Sequence, residues 1–196
     1  GKEGRGIIPV AGEPATGDRQ SGDDRLFVYL RLEGDDNAAT NAAIEEIQSS
    51  GQPVVRLDLR DKYDMGAEFY RWEMATAIAG AVLGINPFGQ PNAQAAKDMT
   101  EGVLAQFESR GKLPEMAASG SLQGLLAEAK PGNYLDSMAY VRQTPEADRA
   151  LSALRRTAIE KHGIATTVGY GPRFLHSTGQ LHKGGPGSGL FLQLTA

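Results

Sequence analysis

Between Arg173 and Lys183 the chain sets two imidazoles (His176 and His182), the hydroxyls of Ser177 and Thr178, the amide of Gln180 and two cations close together. Imidazoles and ammonium groups can pass protons near neutral pH, and hydroxyls and amides orient polar ligands, so this mixture suits acid-base work on a small polar substrate. The glycines on either side, in the stretch Gly169 to Gly189, let backbone approach a ligand closely. Apolar runs flank it, Ile164 to Val168 before and Leu190 to Leu194 after, and both read as buried strands. The polar groups therefore sit where strands end, which is where open α/β sheets bind ligands. The plainer alternative is a solvated loop that joins two strands.

Other chemistries fit less well. His176 and His182 are six residues apart, whereas two ligands on one helix face need a spacing of about four. No carboxylate or third imidazole lies in the stretch to complete a metal site, so no metal is expected. Ser177 beside His176 is not surrounded by a nucleophile-elbow pattern. The run Gly184 to Gly189 lacks the Lys-Ser/Thr ending of a phosphate-binding Walker loop.

The elements that must hold these groups can be read in order. The chain has 196 residues, 40% of them apolar, with a formal net charge of -4 and no cysteine. That is enough for one core, and a single domain is expected over 1–196. The missing cysteines exclude disulfides and thiolate chemistry and fit a reducing, cytoplasmic setting. No long basic block suggests a nucleic-acid surface. No apolar run reaches the roughly 18 residues of a membrane span.

Gly6 to Val10 reads as a short strand, and Leu26 to Leu32 as the first secure one. A helix capped by Asp36 or Asn37 should run to Gly51, followed by a strand over Val54 to Leu59. Strand, helix and strand in succession favour a crossover with parallel strands. The run from Met65 to Leu83 is apolar on nearly all sides, which predicts a buried helix. Pro87 and Pro91 break the chain before a helix that starts at Asn92, placing Gln90 in the preceding loop and Lys97 in the first turns. A short helix (Ser121 to Ala129), a strand (Tyr134 to Val141) and a helix begun by Thr144-Pro145 follow. On that last helix Ala147, Leu151, Leu154 and Ala158 make one stripe, with Arg149, Arg155, Arg156 and Glu160 expected in water. The alternation predicts an α/β fold, a three-layer α/β/α sandwich whose mainly parallel sheet takes in all five later strands.

Two segments carry a resemblance. Gly66 to Lys97, GAEFYRWEMATAIAGAVLGINPFGQPNAQAAK, resembles the second signature region of phosphoglucose isomerases, with a lysine seven residues after the glutamine of a Phe-Asp-Gln-Pro-like turn. Leu175 to Gln180 resembles the Leu-His-Ser-x-Gly-Gln stretch that bears the histidine of the bacterial enzymes. With Tyr170 to Arg173 and His182 to Pro186, the match is closer still to the isomerase part of bifunctional transaldolase/phosphoglucose isomerase fusions.

The resemblance implies a sugar isomerase (SIS) domain of flavodoxin-like fold, the C-terminal fragment of a longer chain, acting on a sugar phosphate without cofactor. It implies that Lys97 and His176 open the sugar ring, that Gln90 and Gln180 line the pocket, and that a glutamate moves the proton between C1 and C2. That glutamate precedes a Ser-Asn-Gly-Lys or Ser-Thr-Gly-Lys turn in the family. This chain starts at Gly1-Lys2, which places the base upstream, together with the phosphate loop. Glu13 and Glu73 are the carboxylates that would have to serve if the chain acted alone. Gly89 stands where the family usually has aspartate. The partners implied are an upstream sugar isomerase domain, a transaldolase domain in the fusion type, and a second subunit in a homodimer. The competing reading is a sugar-phosphate-binding regulatory module without catalysis.

Overall fold

A computed structural model describes residues 1–14, 23–114, 120–173 and 178–195. Five strands form at the expected places: β1 (Phe27–Leu32), β2 (Val54–Leu59), β3 (Tyr134–Tyr140), β4 (Ala165–Tyr170) and β5 (Gly189–Thr195). Every pair is parallel, as alternation with helices requires. The helices are α1 (Ala38–Ser49), α2 (Met65–Leu83), α3 (Asn92–Arg110), α4 (Leu122–Ala127), α5 (Pro145–His162) and α6 (Thr178–Gly184). The α/β class follows directly.

The strands do not join into the single sheet that the alternation suggests. β1 and β2 pair with each other, and β3 lies between β4 and β5 in a separate three-stranded sheet. Each sheet is closed by its own crossover helices, so its pairings are local, whereas a bridge between the sheets would need a ladder that no crossover sets up. Two hydrophobic clusters result. One joins Leu126 of α4, Leu135 of β3 and Ala158 of α5 with Ile164, and the other joins Tyr29 of β1 with Ile44 and Ile47 of α1.

Successive residues of a strand face opposite ways, and this divides β3 in two. Leu135 points to α4 and α5, while Tyr134 and Asp136 point to the face that α6 covers through His182. The larger sheet is thus sandwiched between helices.

Local signals act as expected at several ends. Thr144 accepts a hydrogen bond from the Ala147 amide with Pro145 at the first helical position of α5, and Gly163 closes that helix at a φ of 63°. Gly84 closes α2 in the same left-handed form, with a φ of 69°.

Three expectations are corrected. Gly6 to Val10 forms no strand: Pro9 has no N–H for a ladder, and the nearest pairing is a bridge between Lys2 and Arg5. Arg155 is not in water but 4% exposed. Its guanidinium donates to the carbonyls of Ala11, Gly12 and Thr166 and to the Thr166 hydroxyl, at 2.6 to 3.1 Å. A buried arginine persists because each of these bonds offsets its desolvation, and here they fasten the incoming N-terminal segment to β4.

The third correction is α2. Its bounds match the apolar run, but only Glu68 and Gly80 are buried, and Phe69, Tyr70, Ile78 and Val82 are 59 to 82% exposed. An apolar sequence states that a surface needs covering. Among the described residues nothing covers this one.

Candidate functional site

Lys97 lies in the second turn of α3, exposed, beside Ala96, Thr100 and Glu101 at a shallow open depression. Gln90 is exposed in the loop ahead of the helix, where its carbonyl accepts from the Ala93 amide at 3.2 Å. His176 lies outside the described residues. α6 begins at Thr178, and it lies against α3. Two motifs far apart in sequence therefore meet at one helix pair.

Gln180 makes that junction. It is buried on α6, its Oε1 accepts from the Asn92 amide at 3.1 Å, and its Nε2 donates to Asn92 Oδ1 at 2.8 Å and to the Gly1 carbonyl at 3.1 Å. The start of α3 has no capping side chain of its own, since Pro91 stands at the N-cap. Gln180 supplies the missing acceptor from another element, a role that side-chain caps fill for about 1 kcal/mol.

The loop before α3 is held by the first residues of the chain. The Lys2 ammonium donates to the Asn86 carbonyl, and Arg5 Nη1 donates to the Leu83 carbonyl at 2.7 Å. A β-carbon on Gly89 would stand 3.1 Å from Lys2 Nζ. That is tight, and the ammonium, at the flexible end of Lys2, has to give by a few tenths of an ångström before a carboxylate can pair with it, so Gly89→Asp is expected to raise stability by less than about 1 kcal/mol, less at high salt. Chemical denaturation at two ionic strengths measures it; an equal gain from Gly89→Asn would assign the effect to the backbone instead.

His182, the second imidazole of the glycine-flanked stretch, lies against the sheet with its side chain 9% exposed. Its Nε2 is 3.2 Å from Asp136 Oδ2, and its Nδ1 is 3.1 Å from the Tyr134 hydroxyl. Phe191 meets the ring edge-on, with centroids 4.9 Å apart. Thr167 donates to the other oxygen of Asp136. With a carboxylate facing Nε2, the hydrogen belongs on that nitrogen, and Nδ1 accepts from Tyr134. The Nε2 to Oδ2 contact is close but poorly aligned for a hydrogen bond, and Ser137 Oγ on the opposite face also lacks a partner. This cluster anchors α6 to β3. Tyr134 and Asp136 are buried within it, while Phe191 keeps 38% of its surface exposed.

Burial, and then the neighbouring Asp136 carboxylate, push the Tyr134 hydroxyl up to about 12. The sign follows from linkage. Between the ordinary tyrosine value of about 10 and the folded value, the unfolded chain has released this proton and the folded chain has kept it, so stability falls as pH rises through that window. Denaturation midpoints of the unaltered chain should drop more between pH 9 and pH 11 than those of Tyr134→Phe; parallel losses would remove Tyr134 as the cause.

Sequence reasoning missed Asp136 and His182 as a pair. The available signal was a charged residue at the centre of an otherwise apolar strand, where carboxylates rarely sit without a partner. Glu13, weighed as a substitute base, is occupied: it pairs with Arg25 at 2.7 Å and accepts from the amide and hydroxyl of Thr166 at 2.7 and 2.9 Å. Glu73 is exposed on α2. Among the described residues no group of three or more metal-ligating side chains occurs, and no helix is long and apolar enough to cross a membrane.

Comparison with known proteins adds a relationship over part of this framework. About a third of the chain is similar to glucose-6-phosphate isomerases. The enzyme of Latilactobacillus sakei is 39% identical over 66 residues, 32% of this chain and 15% of that protein. That of Limosilactobacillus fermentum is 35% identical over 78 residues, 38% of this chain and 17% of that protein, and that of Lactiplantibacillus plantarum is 44% identical over 45 residues, 23% and 10% of the two. The matched stretch thus spans about a sixth or less of these relatives' length. No protein-family model and no solved structure matches the chain.

Proposed function

We propose that the chain is the C-terminal sugar isomerase domain of a glucose-6-phosphate isomerase, the isomerase part of a transaldolase fusion, and that it interconverts glucose 6-phosphate and fructose 6-phosphate only together with the rest of that enzyme. The observation that carries this reading is the meeting of α3 and α6 through Gln180 and Asn92. It brings the Gln90–Lys97 segment next to the helix that follows the His176 segment, as a shared site requires. Partial similarity to named glucose-6-phosphate isomerases supports the substrate class.

In this reading Lys97 and His176 move a proton between ring oxygen and anomeric hydroxyl, and Gln90 holds the substrate. A glutamate upstream of Gly1 then moves the proton between C1 and C2 by way of an enediol. The exposed apolar side chains of α2, and those of Val28, Leu30 and Val55 on the smaller sheet, fit a surface that an upstream domain or a second subunit covers.

A coupled assay tests the proposal. The chain alone should give no turnover of glucose 6-phosphate, and the longer natural polypeptide should give it. Turnover by the repurified chain alone would place the base inside it, and Glu73, being unencumbered by Thr166 and Arg25, would be the first to examine. Sugar phosphate binding without turnover in the longer polypeptide would favour a regulatory module instead.

A further inference from the structure

We infer that Gln180 is a positioning residue for Lys97 and makes no contact with substrate; the catalytic consequence rests on the proposed role of Lys97. Its amide is already engaged. Oε1 accepts from the first amide of α3, and both hydrogens of Nε2 have an acceptor in Asn92 Oδ1 and the Gly1 carbonyl. With both N–H groups engaged and Oε1 already accepting, the buried amide keeps no donor for a ligand and only the second lone pair of Oε1.

What it does hold is the start of α3, five residues before Lys97. The other end of the linkage is rigid. Two residues further along α6, the His182 ring is wedged between Asp136, Tyr134 and Phe191, so α6 is tied to the central strand of the larger sheet. Sheet, α6, Gln180, Asn92 and Lys97 form one continuous support. A lysine on an otherwise exposed helix gains from it a fixed origin, which proton transfer to a ring oxygen demands.

The chemistry of the amide makes the inference testable. Glutamate at 180 keeps an oxygen for the Asn92 amide but turns a second oxygen toward two acceptors, Asn92 Oδ1 and the Gly1 carbonyl. Gln180→Glu and Gln180→Leu should therefore both loosen the start of α3. In the chain itself, amide hydrogen exchange at Asn92 to Ala95 should speed by at least about 10-fold while Ala158 and Ile159 of α5 stay protected. In the longer enzyme, each variant should lower kcat with ring-closed substrate on the order of 10-fold to 100-fold and leave open-chain substrate and KM nearly unaffected.

Unchanged exchange at the start of α3 would overturn the cap, whatever the activity. A raised KM with equal losses on both substrate forms would overturn the positioning role and make Gln180 a substrate contact. If Lys97→Ala leaves turnover intact, the functional reading fails and takes the catalytic consequence with it, while the exchange result still decides whether Gln180 holds α3. Global unfolding of Gln180→Leu is recognised by loss of protection in α5, and Gln180→Glu, which keeps size and shape, then carries the test.

Discussion

His182→Ala is expected to destabilise the fold by about 3 kcal/mol, because it leaves the Asp136 carboxylate buried with only the Thr167 hydroxyl as partner. Leaving a buried polar group without its partner usually costs about 1 to 3 kcal/mol, more where that group is charged as a carboxylate is, and the imperfect alignment of Nε2 with Oδ2 holds the loss near the top of that range rather than beyond it. Asp136→Ala strands the ring in turn. The double variant should then lose less than the sum of the two single losses, with a coupling of about 1 to 3 kcal/mol in urea denaturation. Strict additivity would mean that the two side chains pack side by side without interacting.

That pair also shows where the sequence runs out. Strands and capped helices were legible because their signals are local: runs of β-branched and aromatic residues, Thr144-Pro145 at the start of α5, Gly84 and Gly163 after helix ends. The partners of Asp136, Arg155 and Gln180 lie 31 and 46, 11 to 144 and 88 to 179 residues away, and no local pattern specifies them. Arg155 read as a solvated helix arginine because its carbonyl acceptors at Ala11 and Gly12 belong to a segment whose path is set only by folding.

The helix α6, which the sequence reading did not expect, and the exposure of α2 have different causes. α6 was hidden by its glycines, although His182 and Lys183 in its last turn suit a helix C-terminus. For α2, the composition identified a helix that must lose water contact without identifying what removes it. Its bounds were legible, its surroundings were not. Of the residues expected at the site, Gln90 lies in the loop before α3 and Lys97 in its second turn, as the spacing predicts; His176 lies outside the described residues, and Gln180 is engaged within the protein.

If the proposed function holds, the largest expected effect is on catalysis. Lys97 is exposed, and its ammonium has no hydrogen-bond or ion-pair partner among the described residues, so Lys97→Ala removes a charge at little structural cost. If Lys97 shares ring opening with His176, each alanine variant should lower kcat on ring-closed glucose 6-phosphate by about 100-fold to 10,000-fold, the range that a positioned acid or base contributes. On open-chain substrate the loss should be far smaller, because that substrate bypasses the step. The measurement is single-turnover kinetics on both substrate forms, with thermal unfolding of the variants in parallel. Unchanged stability with a loss confined to the ring-closed form assigns Lys97 and His176 to proton transfer at the ring oxygen. Equal losses on both forms would reduce them to groups that bind the sugar phosphate, leaving the proton chemistry to other residues of the proposed enzyme.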